Sequence, residues 1–177
     1  MEFEKLIEVR RSVRKYKEGG VPHEDLLKIV KNAQMAPSWK NQQTSRCYVI
    51  ESPEVLKELR YKLLPEFNAK NTEGAALIVT TFVKDVVGFD AEGVAVNKMG
   101  NYWGAYDLGL HDAYMVLAAS DAGYDSLIMG IRNEDEIRKA LSIPENEVVA
   151  SVIAVGKRDQ EPSLRPRKAT EEVVKFL

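Results

Sequence analysis

Two runs of continuous apolar, largely β-branched residues constrain the fold more than any other feature of the chain. Ala75 to Val83 (AALIVTTFV) is bounded by Gly74 and Lys84, and Val148 to Gly156 (VVASVIAVG) ends on a glycine. Neither run alternates with polar residues, so each reads as a strand buried inside a sheet. Arg46 to Glu51 and Ser126 to Met129 add two shorter strands. The remaining periodicity is helical. Phe3, Leu6 and Ile7 share one side of a short opening helix that runs into Arg10. After a break at Gly19-Gly20, Pro22 with Glu24 and Asp25 starts a second helix, because proline suits the first turn and acids suit the positive end of the helix dipole. Leu26, Leu27, Val30 and Ala33 carry it to about Met35, and Pro37 ends it. Ser52-Pro53 opens a third, with Val55, Leu56, Leu59 and Leu63 on one face. Asn133 is expected to cap a helix to Leu141, with Glu136 completing a capping box.

Tyr102 to Ala122 is the longest helix, closed by Gly123 just past its end. Ala105, Gly109 and Ala113 recur every four residues along it. Such a stripe lets another backbone approach closely, in a packed core or an interface. Residues 84–103 have no period and read as a long mobile loop or short helix of the kind that lines a site. Helices outnumber strands without strict strand–helix alternation, which gives an α+β class around a central sheet. At 177 residues the chain reads as a single domain, 1–177, long enough to bury its own core without a staple.

The charge is balanced in sum and uneven in place. Lys plus Arg number 25 and Asp plus Glu 27, for a net charge of -2. Yet Arg10, Arg11, Arg14, Lys15 and Lys17, with Lys157, Arg158, Arg165, Arg167 and Lys168, crowd into 20 positions that hold only two acids, Asp159 and Glu161. Those positions carry +8 and the other 157 carry -10. Two concentrated basic segments on an acidic remainder point to a discrete anion site rather than a nucleic-acid surface.

Several chemistries are excluded. His23 and His111 have no ligand-spaced partner, so no metal site is expected, and His111-Asp112 reads as a pair satisfied by packing. Cys47 lies in a strand with no histidine nearby in sequence and reads as a small core residue. There is no nucleophile elbow, Walker A loop or dinucleotide fingerprint. Gly156-Lys157 is followed by Arg158 where a phosphate loop needs Ser or Thr. One cysteine, a charged N-terminal stretch and no long apolar run read as a cytoplasmic protein without a membrane partner.

What remains is anion and ring recognition. Arg10-Arg11-Ser12-Val13-Arg14 offers fork-shaped guanidiniums and a hydroxyl at a helix end, a set suited to a phosphate monoester; a solvated basic face is the alternative. Ala36-Pro37-Ser38-Trp39-Lys40-Asn41-Gln42-Gln43 is a turn rich in amide and hydroxyl groups with one aromatic ring. It can hydrogen-bond a heteroaromatic edge and cover its face.

These two motifs, with Gly123-Tyr124-Asp125-Ser126-Leu127-Ile128-Met129-Gly130 and Arg165-Pro166-Arg167-Lys168, resemble the motifs of the nitroreductase family in order and spacing. The resemblance implies an FMN enzyme with a three-layer fold, a central, mostly antiparallel sheet flanked by helices, and an intertwined homodimer with its sites at the interface. It implies that Arg10, Ser12 and Arg14, with Arg11 beside them, hold the flavin phosphate and pyrimidine edge, and that Arg165 and Arg167 close on the phosphate. Pro37, Ser38 and Trp39 would reach the flavin from the partner subunit, and Asn41 in the same motif would bind the cofactor. Leu127, Ile128, Met129 and Gly130 would pass its N5 edge, with the amides of Met129 and Gly130 near N5 and no catalytic side chain. Asn68 and Asn71 compete for a further flavin contact. NADH or NADPH would bind transiently as donor, and a small molecule such as a nitroaromatic or quinone would accept the electrons. The chain is expected to be short for this family in its 84–103 pocket cover, where Phe89, Met99, Tyr102 and Trp103 are candidate lining residues. The competing class is a phosphate- or nucleotide-binding module without redox turnover.

Overall fold

The computed structural model describes residues 2–177. Four strands, β1 (Ser45–Ile50), β2 (Ala76–Val83), β3 (Asp125–Met129) and β4 (Glu147–Gly156), form one sheet in the order β1-β2-β4-β3. All neighbours are antiparallel. The two apolar runs are thus the central pair, with Ile78 opposite Ile153 and Val79 opposite Val152. Their continuous apolar character follows from helices on both faces. Successive side chains point to opposite sides, so Leu77, Val79, Val152 and Ala154 enter one core while Ala76, Ile78, Ile153 and Val155 enter the other.

Seven helices occur among the described residues: α1 (Phe3–Val9), α2 (His23–Ala33), α3 (Pro53–Leu63), α4 (Glu66–Asn71), α5 (Tyr102–Asp121), α6 (Glu134–Leu141) and α7 (Thr170–Val173). Leu56, Leu63 and Ile137 bring α3 and α6 onto the first face. Leu26, Ile29, Met115 and Ala119 bring α2 and α5 onto the second. Each fully buried Leu or Ile contributes roughly 1.5–3 kcal/mol. The result is the expected three-layer α+β arrangement.

Several local expectations hold. The Ser52 side chain accepts from the Val55 N–H at 3.4 Å, as an N-cap does. Gly123 (φ 80°) follows α5 in the left-handed region, and the Tyr124 N–H closes on Ala119 O at 2.9 Å. Others are corrected. Asn133 stands at the N-cap position of α6 as expected, and its carbonyl accepts the Ile137 N–H at 3.0 Å, but its side chain makes no capping bond there. Its backbone N–H donates to Leu63 O (2.8 Å) and its Nδ2 to Lys62 O (3.1 Å), so it serves the orphan carbonyls at the end of α3 instead. Helix α4, unsignalled in the sequence, is six residues long and buries only Asn68 and Ala69.

Residues 84–101 form neither a helix nor a bare loop. Asp90 Oδ1 accepts the Glu92 and Val94 N–H groups, Asn97 Oδ1 accepts that of Met99, and Asn101 bonds Asp85 in both directions. The small stripe of α5 is not in the core: Ala105, Gly109 and Ala113 are all exposed on the chain, beside the exposed rings of Tyr102, Tyr106 and Tyr114. Among the described residues no helix is long and apolar enough to cross a membrane.

Candidate functional site

The two basic segments meet because the chain ends are stitched together. The Val13 N–H donates to Ser126 O (3.0 Å), Lys17 N–H to Lys157 O (2.8 Å) and Asp159 N–H to Lys15 O (2.9 Å). Residues 12–17 therefore lie against both the start of β3 and the chain leaving β4. Arg10, Arg11, Ser12, Arg14, Arg165 and Arg167 line one cavity of about 460 Å³. Arg11 donates to Arg10 O at 2.8 Å and Arg14 to Ser12 O at 3.3 Å, which orients both guanidiniums.

Among the described residues, no carboxylate pairs with any of these five arginines. Glu161, which also lines the cavity, accepts from Arg158 at 3.1 Å. Burial first, then the charges of Arg167 and Arg11, push the Arg10 pKa below its usual value. Like charges held together without counterions make a field that a dianion relieves, and guanidinium forks match phosphate geometry. Two other members of the basic segments are engaged elsewhere. Arg158 grips Asp125 through Nε (2.9 Å) and a terminal nitrogen (2.6 Å), and Lys15 pairs with Asp159 at 2.9 Å.

A second element is the end of β3. Leu127 and Met129 turn their side chains into the core, so only their backbone faces outward; Ile128 on the other face is half exposed, and Gly130 is open to solvent. Two side chains fix the backbone just beyond. Arg132 folds back to donate to Gly130 O at 2.7 Å and also bonds Val149 O. Asn68 Nδ2 donates to Ile131 O at 2.9 Å. Of the two competing asparagines, Asn68 is therefore the one brought to this strand end. Arg132 carried no sequence signal, being a lone arginine after a glycine.

The third element is the turn after α2. Pro37 and Ser38 line a separate cavity of about 340 Å³ with Cys47, Asp107 and His111, and it shares no residue with the arginine cavity. Lys40, Asn41 and Gln43 have positive φ (47°, 57° and 50°), each costing on the order of 1–3 kcal/mol in a residue with a Cβ. Trp39 packs on Trp103, ring centroids 4.9 Å apart, and Trp103 Nε1 donates to Asn97 Oδ1 at 3.0 Å.

Behind this turn the fold assembles a row that sequence distance hid. Cys47 Sγ lies 3.9 Å from His111 Nε2, His111 Nδ1 lies 3.3 Å from Asp112, and Asp112 accepts from Thr80 (3.0 Å) and Ser151 (3.2 Å). Such a row is the shape of an activated thiol, but burial, then the Asp112 charge, pushes the Cys47 pKa up to about 12. The thiol stays protonated near neutrality and acts as packing. Its alkylation at pH 8 should be roughly a thousandfold slower in the native protein than in urea, because the thiolate fraction falls by that much from an ordinary pKa of about 8.5. Equal rates would contradict this assignment. Among the described residues no group of three or more His, Cys, Asp or Glu could hold a metal ion.

The class these features define is an α+β domain with an anion cavity built from both ends of its chain. The chain belongs to the nitroreductase family, whose model matches residues 7–157. A relative in Archaeoglobus fulgidus, provisionally named NADH dehydrogenase/NAD(P)H nitroreductase, is 31% identical over 161 residues, 86% of this chain and 83% of its own. A crystal structure of a nitroreductase family protein from Streptococcus pneumoniae superposes with a TM-score of 0.85 at 20% identity, covering 99% of this chain and 100% of that one. The two chains thus superpose over nearly their full lengths. An FMN-dependent nitroreductase from Clostridium difficile is 27% identical, with a TM-score of 0.73 over 97% of this chain and 96% of that one.

Proposed function

We propose that this chain is an FMN-dependent oxidoreductase that takes electrons from NADH or NADPH and passes them to a small acceptor such as a nitroaromatic or quinone. The observation that carries the reading is the convergence of five arginines, without carboxylate partners among the described residues, on one cavity of about 460 Å³. The names of the Archaeoglobus and Clostridium relatives support the donor and the cofactor. FMN, when bound, would supply two-electron redox chemistry, and donor and acceptor would use the same site in turn, in a ping-pong order.

The protein's own residues bind and orient. Arg10, Arg11, Ser12, Arg14, Arg165 and Arg167 hold the phosphate and its negative charge. The backbone of Met129 and Gly130, fixed by Arg132 and Asn68, presents amides to the ring edge without a titrating side chain. A homodimer completes the site. The exposed face of α5, with Ala105, Gly109 and Ala113, packs against a second copy and brings Pro37, Ser38, Trp39 and Asn41 to the flavin from the partner subunit. Exposed Phe3 and Ile7 on α1, and Val173, Phe176 and Leu177 at the other end of the chain, suit the same burial.

The purified protein should be yellow, with one FMN per chain, and its visible absorption should bleach when NADH or NADPH is added without oxygen. A protein that stays colourless after incubation with FMN would sink this reading. A yellow protein that bleaches with neither nicotinamide would instead favour binding without redox turnover.

A further inference from the structure

The turn after α2 holds three of the five non-glycine residues with positive φ found among the described residues. Such backbone persists only where neighbours over-determine it. Part of the support is internal: Ser38 Oγ accepts the Gln43 N–H at 3.1 Å, and Arg46 donates to Gln43 O at 2.9 Å. Those bonds close the turn on itself and do not say where it sits in the molecule. Its place is set by α5. Asp107, buried in that helix, accepts the Trp39 N–H on Oδ2 at 2.8 Å, and Trp103, one helical turn earlier, receives the Trp39 ring.

Asp107 is otherwise unexplained. It is a carboxylate removed from water whose one hydrogen-bond partner among the described residues is a backbone N–H, and burial raises its pKa. A solvent-facing aspartate would cost less, so a specific acceptor at this point has a use.

We propose that Asp107 is a positioning residue that clamps the strained 38–43 turn to α5 and so presets the surface this turn offers to the flavin of the partner subunit. The inference rests on the functional reading above for the flavin, but not for the clamp itself. Asp107 acts as a hydrogen-bond acceptor; it touches no cofactor.

The chain contains only two tryptophans, Trp39 and Trp103, and both belong to the clamp. Their coupled indoles therefore report the turn's position in flavin-free protein by near-ultraviolet circular dichroism. Asp107→Asn keeps an acceptor oxygen, and Asp107→Leu keeps the bulk without one. Asp107→Leu should lose the indole couplet and raise the Kd for FMN about tenfold or more, whereas Asp107→Asn should keep the couplet and stay within threefold of the parent. A couplet and Kd unchanged in Asp107→Leu would overturn the proposal. So would an Asp107→Asn protein as impaired as Asp107→Leu, since charge rather than positioning would then be the role. If Asp107→Leu does not fold, Asp107→Ala is read by the same two criteria. Should the parent protein bind no FMN, the functional reading fails on its own, and the couplet still decides the clamp.

Discussion

Replacing Arg10 and Arg167 together by alanine should weaken FMN binding by about 10²–10⁴-fold while leaving the free protein at least as stable as before. Each guanidinium is expected to make a charge-assisted contact worth ~1.5–3 kcal/mol, and tenfold in Kd corresponds to about 1.4 kcal/mol. The two effects need not add, because both arginines act on one anion. Stability moves the other way for a reason visible in the cavity. The Arg10 pKa is depressed partly by the charge of Arg167, so the two repel in the absence of a ligand, and removing them relieves the repulsion. Titration of FMN by fluorescence quenching measures the first effect, and thermal unfolding without FMN measures the second. A double variant that binds FMN like the parent would remove the phosphate assignment. A large loss of flavin-free stability would mean that these arginines are structural.

Gly104 and Gly109 lie on the same helix and should respond oppositely to a larger residue. A Cβ added at Gly104 would come within 2.4 Å of the Phe82 ring, itself buried against α5. Gly104→Val should therefore cost at least ~1–3 kcal/mol of overpacking, or roughly 2–12 °C in Tm for a chain of this size. At Gly109 an added Cβ meets nothing within 4 Å in the chain. Gly109→Leu should leave the fold intact and act on assembly, because its side chain would fill the space a second copy's backbone needs. Light scattering should report monomers for Gly109→Leu at concentrations where the parent is dimeric, with FMN binding lost alongside. If Gly109→Leu stays dimeric with unchanged FMN affinity, the stripe is not the contact between copies.

The layers of the fold were legible because hydrophobic period is a local signal. The runs 75–83 and 148–156 announced buried strands, and Gly123 announced the end of α5. What escaped was decided by neighbours distant in sequence. Asn133 holds the N-cap position the sequence suggests, but its Nδ2 and backbone N–H donate to the carbonyls of Lys62 and Leu63, some 70 positions earlier, and its side chain makes no capping bond. Helix α4 has too few buried residues to impose a period. In the site, the two basic segments could be counted but not sorted: charge alone does not reveal that Arg158 is bound to Asp125 while Arg165 and Arg167 are left for the cavity. The Cys47–His111 proximity and the Asp107 bond to Trp39 span 64 and 68 positions. Each is one polar residue in an apolar element, which no motif marks.

The stitching of residues 12–17 to Ser126 and to residues 157–159 has a consequence for how the protein is made. Arg10 to Arg14 leave the ribosome about 150 residues before Arg165 and Arg167, a delay of roughly 10–30 s at common synthesis rates. During that interval the sheet can assemble strand by strand, yet the anion cavity has only one wall. If this cavity holds the FMN phosphate as proposed, the cofactor is recruited by finished chains, and a protease cut just after Gly156 should leave the four strands whole while weakening flavin retention.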